Sequence, residues 1–73
     1  MMTTETKEIL TAASAVLANN SVPELRGLRV DEESNELQLH GRVRSFYHKQ
    51  LAQEAILPLA GNLQVVNHLH VHG

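Results

Sequence analysis

Three imidazoles stand at period 2 near the end of this 73-residue chain, His68-x-His70-x-His72, and a fourth, His40, lies in an earlier alternating stretch. Imidazole is the commonest nitrogen ligand of zinc, nickel and copper, and four would complete a tetrahedral site. Same-face neighbours on one strand are roughly 6.5–7 Å apart, and each ligating ring needs an acceptor behind it, so the row by itself does not close around an ion. No metal ligands are assigned, and metal binding through the histidine-rich strand stays open as an alternative. The other candidate binding residues are cationic. By alternation Arg29, His40, Arg42, His68 and His70 share one strand face and Arg44 stands at its end. Guanidinium and protonated imidazole suit phosphate head groups, an acidic protein partner or a second copy across a symmetry axis. No nucleophile has a base at diagnostic spacing and no glycine-rich loop precedes a helix, so catalytic residues, a cofactor and enzyme activity are not expected. Phe46 and Tyr47 fall in a helical stretch, which leaves the strands without an aromatic for base stacking, and nucleic acid is not an expected partner.

Positioning these residues falls to a single small domain spanning 1–73. Such a chain sits near the lower limit for a self-sufficient core, and with no cysteine it cannot be stapled by disulfides. Self-association into a homo-oligomer is therefore expected, through the histidine face or a helix face. The net charge of -2 gives no bulk attraction to polyanions, so such binding needs a local basic patch. The start, Met-Met-Thr-Thr-Glu-Thr-Lys-Glu, lacks the basic and apolar segments of a secretory signal. The expectation is cytoplasmic as written, and periplasmic for a chain whose signal has been removed.

The elements follow from periodicity. Ile9, Leu10, Ala13, Val16 and Leu17 mark an amphipathic helix over 3–19, with Thr3 or Thr4 as cap and an unusually small outer face of Thr11, Ala12, Ser14, Ala15 and Ala18. Strands are expected over 28–32 and 36–43, joined as a hairpin. A Glu33-Ser34 loop would set Val30 opposite Leu37, Leu28 opposite Leu39 and Asp31 opposite Glu36, while a slipped or bulged turn would change that register. Ser45 caps a second helix over 45–59 whose stripe runs from Phe46 through Leu51, Ala52, Ala55 and Ile56 to Leu59, tightening at Pro58. Gly61-Asn62 turns the chain into a last strand over 63–72. Gly41, Gly61 and Asn67 are structural candidates: Gly41 as a close approach for a helix, Gly61 as a turn, and Asn67 as an inward amide bonding a neighbouring loop. The sum is an α+β fold of order α-β-β-α-β, a three-stranded sheet with two helices on one face and the other face open.

The run Leu28-x-Val30, Leu37-x-Leu39-x-Gly41-x-Val43-x-Ser45, then Lys49, Ala52 and Ala55, Gly61, and Val65-x-Asn67-x-Leu69-x-Val71 resembles the BON domain family from Leu25 onward, and the preceding helix agrees. The resemblance implies the same α-β-β-α-β order and a non-catalytic module that binds a phospholipid surface or a partner protein. Besides the metal alternative, a purely structural self-assembly unit stays open.

Overall fold

The computed structural model describes residues 4–72. In chain order these form α1 (Thr4–Ala18), β1 (Arg29–Glu33), β2 (Glu36–His40), β3 (Arg42–Val43), α2 (Phe46–Ile56), β4 (Gln64–Asn67) and β5 (His70–Val71), with 3-10 turns at Pro23–Leu25 and Leu57–Leu59. Of the two expected caps of α1, Thr3 lies outside the described residues. Helix α1 buries Ala13 and Leu17 and half-buries Ile9 and Leu10, and its small outer face is exposed. The connector after it does more than connect. Pro23 starts a turn closed by the bond from the Arg26 N–H to the Pro23 carbonyl (3.1 Å), and that turn drives Leu25 fully into the core.

The sheet is mixed. β1 lies antiparallel to β2, and β2 lies parallel to β4 across the α2 crossover. Beyond them β3 pairs parallel with β5. Leu39 stands opposite Asn67 and Arg42 opposite His70, which is one unbroken register. The expected strands 36–43 and 63–72 are thus two continuous paths that bend together at Gly41 and at His68–Leu69. Bonds from the His68 N–H to the Leu39 carbonyl (3.0 Å) and from the His70 N–H to the Gly41 carbonyl (2.9 Å) carry the ladder through the bend.

The hairpin corrects the expected register. Its two-residue loop is Ser34-Asn35, both with positive φ (51° and 66°), the pairing of angles that a type I′ turn needs to match strand twist. Val30 therefore faces Leu39, Glu32 faces Leu37, Asp31 faces Gln38, and the opposed carboxylates are Glu33 and Glu36. Every partner on β1 moves by two positions relative to a Glu33-Ser34 loop.

This shift also corrects the role of Gly41. Its φ is +136°, and a Cβ built there would meet Leu28 Cδ2 at 2.7 Å and Leu69 Cδ2 at 3.8 Å, so a side chain entering β1 fills the space rather than a helix. Gly61 (φ +60°) makes the left-handed stop after the Leu57–Leu59 turn, with Ile9 Cδ1 at 3.2 Å from where a Cβ would sit.

One face of the sheet is covered. Val30, Leu37, Leu39, Val43, Leu63 and Leu69 meet Ala13 and Leu17 of α1 and Ala52 and Ile56 of α2 in a single aliphatic cluster. β4 is pinned to its own crossover helix by Asn67. Its Nδ2 donates to the Lys49 carbonyl (2.9 Å) and to Gln53 Oε1 (3.2 Å), and its Oδ1 accepts the Leu69 N–H (3.0 Å). The backbone it reaches is thus helix α2, where a loop was expected, and its own strand.

Two stability predictions follow from these contacts. Because the Gly41 backbone angle penalises any L side chain, Gly41→Ala should already lower stability by about 1–3 kcal/mol in denaturant unfolding, with Gly41→Val at least as severe. Gly27→Ala, where a Cβ meets nothing within 4 Å, is the control and should stay within about 0.5 kcal/mol of wild type or gain slightly. Asn67→Ala strands the Leu69 N–H and removes the tie to the Lys49 carbonyl and Gln53, and should cost about 1–3 kcal/mol. An unchanged melting temperature in that variant would contradict the assigned role.

Candidate functional site

The open face of the sheet brings together Arg29 from β1, Gln38 and His40 from β2, Arg42 from β3, and Val66, His68 and His70 from β4, β5 and the bend between them. Its centre is a pair of stacked imidazoles: His40 and His68 lie directly across the parallel ladder, ring centroids 5.2 Å apart and planes 15° from parallel. His40 Nε2 sits 3.2 Å from Gln38 Oε1 and 3.9 Å from Asp31 Oδ2. Parallel stacked rings aim their nitrogens side by side rather than at a common point. Among the described residues no group of three or more His, Asp or Glu is placed to hold a metal ion.

The charge of this centre is set by a carboxylate as well as by Arg29. Asp31 alternates to the same side as Arg29 and accepts from its Nε at 2.9 Å, so the middle of the open face is locally neutralised. The sequence reading counted Arg29 there and overlooked Asp31. Cationic character survives at one end only.

That end is built by the bend and the start of α2. Gly41 turns the chain, Arg42 and Arg44 follow, and Ser45 halts the strand by accepting the His48 N–H at its Oγ (3.1 Å), which starts the helix with Phe46 and Tyr47 in its first turn. Arg44 Nε approaches Glu24 Oε1 at 3.8 Å, a loose contact on a side chain 78% exposed. The Arg42 side chain has no hydrogen-bond or ion-pair partner among the described residues. Lys49 lies one turn into α2, and His70 of β5 and His72 just after it complete the same end.

Phe46 is the residue that the sequence reading misplaced, and Tyr47 beside it in the chain is likewise exposed. The expected stripe began at Phe46, yet Phe46 is 75% exposed and Tyr47 69% exposed. Helical phase explains it. Counting back from the buried Ala52 by 100° per residue puts Phe46 about 240° round the helix, on the solvent side, so the stripe proper is Ala52 and Ile56 with Leu51 and Ala55 packed beside them. These two rings are the chain's whole aromatic complement, one Phe and one Tyr with no Trp. The core is aliphatic and both aromatics stand on the surface beside the arginines. The phase argument was available from sequence and would have found them.

The opposite end of the sheet is acidic. Glu32, Glu33 and Glu36 flank the Ser34-Asn35 turn, and β2 and β4 run from that end toward the arginines. Charge is therefore sorted along the strands, although the net value is small.

No helix among the described residues is long and apolar enough to cross a membrane. No curated protein and no solved structure matches the chain. One family model does, the BON domain, over residues 6–73, which takes in α2, every strand described above and α1 from its third residue onward. BON domains are in general non-catalytic binding modules. With its helix order, mixed sheet and bent third strand all inside the matched span, the chain belongs to the BON domain family.

Proposed function

We propose that this domain is a binding module that attaches end-on to an anionic phospholipid surface, led by Phe46 and Tyr47 and flanked by Arg42, Arg44 and Lys49. The observation that carries the reading is the exposure of both aromatic rings in the first turn of α2, which directly follows Arg42 and Arg44 at the cationic end of the sheet. Aromatic side chains normally dominate cores, and a solvated pair has no folding role. At a bilayer interface the same rings are favourable, since an apolar body with a polar tip suits the head-group region.

The energetics fit a weak, reversible attachment. Each Lys or Arg near an anionic leaflet contributes about 1 kcal/mol, so Arg42, Arg44 and Lys49 supply about 3 kcal/mol. Burying one large apolar side chain adds roughly 1.5–3 kcal/mol. The total of about 4.5–6 kcal/mol corresponds to a dissociation constant of roughly tens to hundreds of micromolar. Arg42 and Arg44 can also take phosphate oxygens directly by charge-assisted hydrogen bonds. The acidic end around Glu33 and Glu36 is repelled by the same surface, which fixes which end leads. The open-face residues Arg29, His40, His68 and His70 flank the contact, and their net effect is reduced by Asp31.

The test is flotation with vesicles of phosphatidylcholine alone and with phosphatidylglycerol added. Wild type should float with the anionic vesicles and lose most of that binding in high salt. Phe46→Ser/Tyr47→Ser should abolish flotation with the fold intact, because neither ring is in the core, and Arg42→Ala/Arg44→Ala should weaken it roughly 10- to 30-fold, at about 1 kcal/mol per arginine. Wild type that fails to float with either vesicle, or a double-serine variant that floats as well as wild type, would overturn the proposal. In the first case a protein partner at the same end becomes the reading to pursue.

A further inference from the structure

The two outer edges of the sheet are built differently. β1 forms one edge, and four of its five residues, Arg29, Asp31, Glu32 and Glu33, are charged. Such a strand is guarded against pairing with another chain. β4 and β5 form the opposite edge, and from Leu59 to His72 the chain has no Asp, Glu, Lys, Arg or Pro. Val65, Val66 and Val71 are half-buried along it.

The ladder fixes which backbone groups that edge presents. His68, His70 and His72 donate their N–H groups inward, to the carbonyls of Leu39, Gly41 and Val43. In a parallel ladder the alternate residues then aim their N–H and carbonyl groups the other way, so those of Val65, Asn67 and Val71 point out along the free edge. Asn67 Oδ1 satisfies the Leu69 N–H and so blunts one position. The rest is a short, uncharged template for a further strand.

We propose that this edge pairs antiparallel with the same edge of a second copy, so that the sheet continues across a two-fold axis. The charge sorting selects both occupant and direction. Antiparallel pairing sets the Glu32, Glu33 and Glu36 end of one copy beside the Arg42 and Arg44 end of the other, and does so twice by symmetry. Parallel pairing would superpose like ends. The pairing also buries the half-exposed valines of a small domain that has no disulfide to stabilise it.

Light scattering over a range of protein concentrations tests this with three variants. Val66→Lys puts a guarding charge on the open face beside the edge without touching the core, and Val65→Pro removes an outward N–H that the ladder within the domain does not use. Ala15→Glu alters the exposed face of α1, the competing route to self-association. Wild type and Ala15→Glu should reach twice the 8.1 kDa chain mass, and Val66→Lys and Val65→Pro should stay at one chain mass with wild-type circular dichroism. If Val65→Pro fails to fold, Val66→Lys alone decides. A wild type that stays monomeric at every concentration overturns the proposal, as does a dimer that survives Val66→Lys. A dimer that dissociates in Ala15→Glu places the contact on α1 and also overturns it. Because Val66 and Val65 lie outside the aromatic end, loss of pairing with vesicle flotation retained separates this inference from the membrane reading.

Discussion

The crossover helix is held over the strand it leads to by a side-chain amide. Asn67 reaches the Lys49 carbonyl and the Gln53 side chain while returning its own oxygen to the Leu69 N–H, so strand and helix cannot slide past one another without stranding polar groups. This fixes the rotation of α2 as well as its position. Ala52 and Ile56 then turn to the sheet, and the first turn, set by the Ser45 cap, presents Phe46 and Tyr47 to solvent. The aromatic end is in this sense a consequence of how the helix is locked to the sheet.

Charge sorting has an equally local origin. A two-residue turn that requires positive φ at Ser34 and Asn35 closes the hairpin between Glu33 and Glu36 and so concentrates carboxylates at one end of the sheet. The bend at Gly41 then carries Arg42 and Arg44 to the other end, and the parallel crossover brings His70 and His72 alongside them. A chain with a net charge of only -2 thereby acquires one end suited to anions and one suited to cations. Two copies paired antiparallel along β4 and β5 would carry their aromatic ends at opposite extremities, a geometry for bridging two surfaces rather than gripping one twice.

Much of the fold was legible because alternation and helical periodicity report burial directly. Leu37, Leu39 and Val43, and Leu63 and Leu69, faced the core as their spacing required, and Ser45 capped the helix it preceded. The hairpin register was not legible, since Glu33-Ser34-Asn35-Glu36 contains overlapping two-residue loops and only the backbone angles at Ser34 and Asn35 choose between them. That one choice moved Leu28 from Leu39 to Gly41, and with it the reason for the glycine. Leu25 could not be found, because a single apolar residue in a short turn has no period. Phe46 was misread by residue type where helical phase gave the answer. The binding face was the least legible part, since a solvated sheet face and a recognition face share the same alternation; Asp31, two residues from Arg29, belonged to that face in any register and was overlooked.

The central claim is that the first turn of α2 enters a lipid interface, and the chain's lack of tryptophan allows a direct reading. Phe46→Trp would supply a sole indole reporter at the leading position. Titrated with phosphatidylglycerol-containing vesicles, its emission should shift to shorter wavelength and be quenched by lipids brominated near the head group, with neither change on phosphatidylcholine vesicles. An indole whose emission stays at the water-exposed wavelength with both vesicles would contradict the claim.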